Sequence, residues 1–87
     1  MDRYMIILPH TAEDCVFAVK QVEAIGMITH FDWGCRDNDH TGYVTLEAHS
    51  KSEAIMSVPT ALRPKARVIR LNKFSPEEVK AMHLPKQ

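Results

Sequence analysis

Phe31-Asp32-Trp33-Gly34-Cys35-Arg36-Asp37-Asn38-Asp39-His40-Thr41-Gly42-Tyr43-Val44-Thr45-Leu46-Glu47-Ala48 is the stretch on which the fold turns. Its last third alternates, with apolar Val44, Leu46 and Ala48 between Tyr43, Thr45 and Glu47. A period of two marks a strand with one face in the core and the other turned away. Its start is a short aromatic segment. Between the two lies Asp37-Asn38-Asp39, whose side chains bond nearby backbone groups and tolerate tight turns. The stretch therefore reads as a hairpin with a loop from Gly34 to Gly42.

On either side, three helix starts share one pattern: a hydroxyl residue followed three positions later by an acid, so that the two side chains satisfy unpaired backbone donors. These are Thr11 with Asp14, Ser50 with Glu53, and Ser75 with Glu78. The first helix is expected to bury Cys15, Val19, Val22 and Ile25, with Phe17 and Ala18 widening the stripe and Gly26 as a left-handed cap. The second is short, because Pro59 lacks a backbone donor and Pro64 prevents resumption. The third starts with Pro76 at its first position and runs to about His83, before Pro85. Extended segments are Tyr4 to Leu8, Met27 to Trp33, Tyr43 to His49 and Arg67 to Phe74. The order predicts a single α+β domain over residues 1–87: a ferredoxin-like βαββαβ sandwich with both main helices on one face and an extra C-terminal helix.

Composition agrees. The chain has 87 residues, 45% of them hydrophobic and 25% charged, which suits one globular domain and excludes two separate cores. No apolar run approaches the about 18 residues of a membrane helix. The start lacks the features of an export signal, so a cytoplasmic chain with reduced thiols is expected. Net charge is zero, but residues 1–50 hold 3 basic against 8 acidic side chains and residues 51–87 hold 8 against 3. A chain this small buries a modest core, which favours association.

The sheet face away from the helices is the more informative one. Val44, Leu46 and Ala48 are assigned inward, with Phe31 and Trp33; Ile69 and Leu71 are assigned inward in the last strand. That leaves Ile28, His30, Asp32, Tyr43, Glu47, Val68 and Arg70 on the open face. The first strand is apolar on both sides, so its register is a guess, with Tyr4, Ile6 and Leu8 on the open face too. Such a surface suggests a homodimer enclosing a polar pocket for a small-molecule ligand, lined by His30, Asp32, Tyr43, Glu47 and Arg70. The competing reading is an interfacial ion-pair network in which Arg70 neutralises Glu47 or Asp32.

Five histidines and two cysteines raise metal binding by zinc, nickel or copper. Four residues separate His10 from Cys15, and four separate Cys35 from His40. With Cys15 assigned to the helix's buried stripe, His10, Cys35 and His40 are the ligand candidates. The alternative is a core cysteine, a loop cysteine and solvated histidines. Asp37 to Gly42 begins like a calcium loop, but its twelfth place is Ala48 and a strand follows, so a hairpin turn explains it better. Nucleic acid is not an expected partner: Thr45 and Ala48 stand where an RNA-binding strand carries aromatics, and net charge is neutral.

Through the segments Phe31 to Cys35 and Gly42 to Ala48 and the order of its elements, the chain resembles small uncharacterised proteins of the dimeric α+β barrel group. The resemblance implies an architecture, two sheets packed through their open faces, more than an activity. The expected function is binding of a small ligand or transition metal. Alternatives are a cofactor-free isomerase or monooxygenase using His30 with Asp32 or Glu47 as base, and an accessory subunit docked through its charge asymmetry. No catalytic set is assigned.

Overall fold

The computed structural model describes residues 1–85. Strands β1 (Asp2–Pro9), β2 (Asp32–Trp33), β3 (Thr41–Ala48) and β4 (Arg67–Leu71) form one antiparallel sheet in the order β2-β3-β1-β4. The helices are α1 (Cys15–Ala24), α2 (Lys51–Ala54) and α3 (Pro76–Ala81). The architecture is thus α+β, with β3 and β4 flanking β1. A second main helix is not built: α2 is a single turn, continued by 3-10 turns at Ile55–Ser57 and Thr60–Lys65 on either side of Pro59.

Local chemistry accounts for the helix ends. The Ser50 hydroxyl accepts from the Glu53 amide at 3.1 Å, and Ser75 and Glu78 complete a reciprocal capping box. The Thr11 hydroxyl accepts from the Asp14 amide at 3.2 Å, which closes a turn ahead of α1, while Asp14 itself takes the cap position. Gly26 terminates α1 with φ +79°.

The core consists of Tyr4, Ile6 and Leu8 from β1, Val44 and Ala48 from β3, Val22 of α1, Ala54 of α2, Phe31 and Val58. This corrects the register guessed for β1. Tyr4, Ile6 and Leu8 face the helices, and Arg3, Met5 and Ile7 take the open face. Because directly paired residues in an antiparallel ladder point the same way, the pairs Tyr4 with Arg70 and Ile6 with Val68 reverse β4 as well. Val68 packs against the core, and Ile69 and Leu71 join the open face. In β3 the alternation holds. Both errors have one cause: β1 and β4 are apolar on both sides at their centres, so a shift of one residue costs little in pattern while turning over every side chain.

Two further expectations change. The extended run from Met27 shrinks to Asp32–Trp33, and residues 28–30 form turns, so Ile28 packs against the core and His30 is an exposed turn residue rather than part of a sheet face. In α1 the buried residues are Ala18 and Val22, while Phe17 and Ile25 are exposed and Cys15 is half-buried. Positions 15, 18 and 22 share one helical stripe. Its last two members are in the core, and its first sits at the helix start.

Beyond β4, residues 72–85 extend away from the core. No residue of α3 is buried, and Phe74, Val79, Met82 and Leu84 are exposed. The radius of gyration is accordingly 16.2 Å, against about 12 Å for a compact domain of this length.

Candidate metal centre

The ends of β1 and β3 that pair Pro9 with Thr41 bring two loops together. His10 follows β1 directly, and its amide donates to the His40 carbonyl at 3.0 Å. Cys15 begins α1 a turn later. Cys35 opens a three-residue 3-10 turn in the hairpin loop, and His40 closes that loop before β3. Four half-buried side chains meet there: His10, Cys15, Cys35 and His40. Their ligand atoms all lie within 4.8 Å of one another, with His10 Nε2 and Cys35 Sγ 3.3 Å apart. Around a tetrahedral zinc ion, ligand-to-ligand edges are about 3.3–3.8 Å, from bond lengths of roughly 2.3 Å to sulfur and 2.0–2.1 Å to nitrogen. The four atoms are therefore close to an arrangement that needs only small side-chain movements to close on an ion.

The hairpin loop is held by backbone and carboxylate together. Gly34 donates to the Thr41 carbonyl at 3.0 Å and accepts from the Asp37 and Asp39 amides at 2.9 and 3.0 Å. A Cβ on Gly34 would stand 2.7 Å from the Asp39 carbonyl oxygen, so this close approach requires glycine. Asp39 accepts from the Thr41 hydroxyl at 2.7 Å and the Tyr43 hydroxyl at 2.6 Å, and these bonds hold its carboxyl below the usual range. The bond to Asp39 raises the Tyr43 hydroxyl in turn. Trp33 walls the site: its ring centroid is 5.9 Å from His10 and 5.7 Å from Phe31, stacked on the latter. It covers Gly42, where a Cβ would meet the indole at 2.9 Å.

Electrostatics match a cation. Burial pushes the Cys35 thiol up, and the neighbouring Cys15 thiol pushes it further. Two thiolates without a counter-ion are unfavourable in this setting; two thiolates, two neutral imidazoles and a divalent ion sum to zero charge. The Nδ1 atoms of His10 and His40 are buried without a hydrogen-bond partner in the chain, as is Trp33 Nε1. The indole N–H is a donor and no metal ligand, and His10 turns its other ring nitrogen, Nε2, toward Cys35.

Of the residues assigned to metal from sequence, His10, Cys35 and His40 come together here. Cys15 completes the set, contrary to its assignment to the buried stripe. The signal for it was present in the spacing, because His10-x4-Cys15 is the mirror of Cys35-x4-His40. Of the five residues assigned to an open-face pocket, Asp32 and Tyr43 pair directly across β2 and β3 and Glu47 shares their face, but His30 and Arg70 do not join them. His30 lies in a turn, and Tyr43 is bonded to Asp39. Asp32 borders a cavity beside the cysteines. Glu47 stands opposite Arg3 on the open face, whereas Arg70 is on the helix side, its guanidinium 3.6 Å from Asp2. No family model matches the chain, and neither a curated protein nor a solved structure is significantly similar to it. Among the described residues no helix is long and apolar enough to cross a membrane.

Proposed function

We propose that this protein is a small metal-binding module that holds one zinc ion through His10, Cys15, Cys35 and His40. The observation that carries the reading is the convergence of four ligand atoms, from two loops, within 4.8 Å. Two sulfurs and two nitrogens are a donor set that suits tetrahedral zinc best; copper(I) would also accept the thiolates, and nickel(II) would favour a flatter arrangement. Four protein ligands fill a tetrahedral shell and leave no position for a reacting water, which favours holding the ion over catalysis by it. The ion would tie the loop before α1 to the hairpin loop, adding to the stability of a chain whose core is small. Reconstitution of the reduced chain tests this. One equivalent of cobalt(II) should give the intense visible bands of a tetrahedral thiolate site, and zinc should bleach them. Weak octahedral bands, or binding that survives Cys35→Ser, would defeat the reading.

The fold is read as ferredoxin-like in type, a reading supported by β3 and β4 flanking β1 and by core residues from α1 and α2 meeting one face of the sheet. A homodimer belongs to the same reading. The open face presents half-buried Met5, Ile7, Ile69 and Leu71 between Arg3 and Arg67, and the protruding arm carries Val79 and Met82 beside Glu77 and Glu78. Apolar surface on both, with Arg67 at one end of the face and Glu77 and Glu78 on the arm, makes the arm of a second copy the occupant suited to that face. Sedimentation velocity should give a dimer at micromolar concentration that Val79→Asp with Met82→Asp converts to monomer. A wild-type monomer throughout that range would exclude it.

A further inference from the structure

We propose that Cys15 and Cys35 are an oxidisable pair, which a peroxide converts to an intramolecular disulfide, releasing the metal. The release rests on the metal-binding reading above; the disulfide itself does not. A cavity of about 530 Å³ opens beside the cluster, bordered by Cys15, Phe31, Asp32, Trp33, Cys35 and Arg36. Both cysteines line it, so small solutes can reach the pair from this side, while a second cavity of about 290 Å³ borders His10. The two Sγ atoms are within 4.8 Å. A disulfide needs about 2.0 Å, with Cβ atoms about 3.5–4.5 Å apart. Neither cysteine is fixed in a strand: Cys15 is the first residue of α1, and Cys35 begins a short 3-10 turn after Gly34. Side-chain rotation with a small loop adjustment can therefore close the gap. The covalent link would join the same two loops that the ion joins, so the body of the fold does not depend on which is present.

The chemistry balances with hydrogen peroxide as the oxidant. One thiolate sulfur attacks a peroxide oxygen, the O–O bond breaks, and the leaving hydroxide takes a proton to become water; that cysteine is now a sulfenic acid. The second thiolate attacks this sulfur, the S–S bond forms, and the hydroxide expelled from the sulfenic acid takes a second proton. The two thiolates lose two electrons, the peroxide gains them, and zinc keeps its charge because it has no redox chemistry of its own. His10 and His40 alone are then left to hold an ion that four groups held before.

The test uses the zinc-loaded wild-type chain and stoichiometric hydrogen peroxide. A chromogenic chelator reports free zinc, intact mass reports the loss of two hydrogens, and peptide mapping locates the link. The expected result is one zinc released per chain in step with a Cys15–Cys35 cross-link, both reversed by a thiol reductant and added zinc. Sulfinic acid at one cysteine without a cross-link, or disulfides only between chains, would overturn the pair. Formation of the link with zinc retained would overturn the release. If the reduced chain never takes up zinc, the metal-binding reading and the release fail together, while cross-linking of the metal-free chain still tests the pair.

Discussion

The loop end of the sheet and its open face carry similar chemistry and differ in what they can do with it. The open face displays Arg3, Glu47, Arg67, Asp32 and Tyr43, which on composition alone resembles a binding site. Strands hold such side chains in parallel rows, each standing outward from the sheet, so they point past a common ligand rather than at it. At the loop end the backbone turns back on itself twice, and the ligand atoms of His10, Cys15, Cys35 and His40 gather within 4.8 Å of one another. Convergence, more than residue type, separates a centre from a polar surface.

The strongest way to break that comparison is to remove one group from each region. His40→Ala should lower zinc affinity by more than the roughly 10–100-fold that loss of a supporting group ordinarily costs. Glu47→Gln should leave it unchanged. Competition against a chelator of known affinity reads both, and equal losses would mean that the open face takes part in binding.

The two faces of the sheet differ next in stability. Ile6 is fully buried, and Ile6→Ala should cost about 2–5 kcal/mol in urea unfolding. Thr45, exposed on the opposite face, should tolerate alanine within about 0.5 kcal/mol. A large cost at Thr45 with little at Ile6 would reverse the register assigned to both strands.

Within the loop end, Gly34→Ala should destabilise the apo fold by about 1–3 kcal/mol, because the added Cβ forces backbone apart where Asp39 now comes within 2.7 Å. It should weaken zinc binding as well, since the same loop carries Cys35 and His40. Calorimetry with and without zinc separates the two effects; a change in neither would show that the loop holds its shape without this approach.

Acidity sharpens the comparison further. With the Cys35 thiol held above its ordinary range, metal must displace its proton at neutral pH, so zinc affinity should climb with pH until the thiol ionises unaided. Stability of the metal-free chain should run the other way. A group raised by folding contributes fully below its unfolded pKa, and that contribution is lost as pH rises through the folded value. Opposed slopes across the alkaline thiol range are the expected outcome, and parallel slopes would contradict it. The smallest effect belongs to Asp39. Its carboxyl is lowered first by Tyr43 and then by Thr41, so its contribution is present above the ordinary carboxylate pKa and fades as pH falls through the folded value. Tyr43→Phe should move its NMR titration upward with little change in melting temperature.

Much of this molecule could be read from one dimension, wherever neighbouring positions differ in polarity or stereochemistry. The alternation of residues 43–48 assigns both faces of β3, Pro59 limits α2 to a turn, and the hydroxyl and acid pairs mark the starts of α2 and α3. These are local matters of side-chain period and unpaired backbone donors. Tertiary structure alone decided the rest. The central residues of β1 are apolar on both sides, so only packing against α1 and α2 could choose between them. The register of β4 followed through its pairing with β1, which put Arg70 and Glu47 on opposite faces. The metal set lies in two halves, His10 with Cys15 and Cys35 with His40, whose spacing is visible in the chain. Nothing local to either half says that they meet. The ladder from β1 to β3 brings Pro9 to Thr41, and the rotation of α1 turns Cys15 toward the hairpin loop. A ligand set is defined by distances in space, and for residues this far apart in sequence those distances are set by strand pairing.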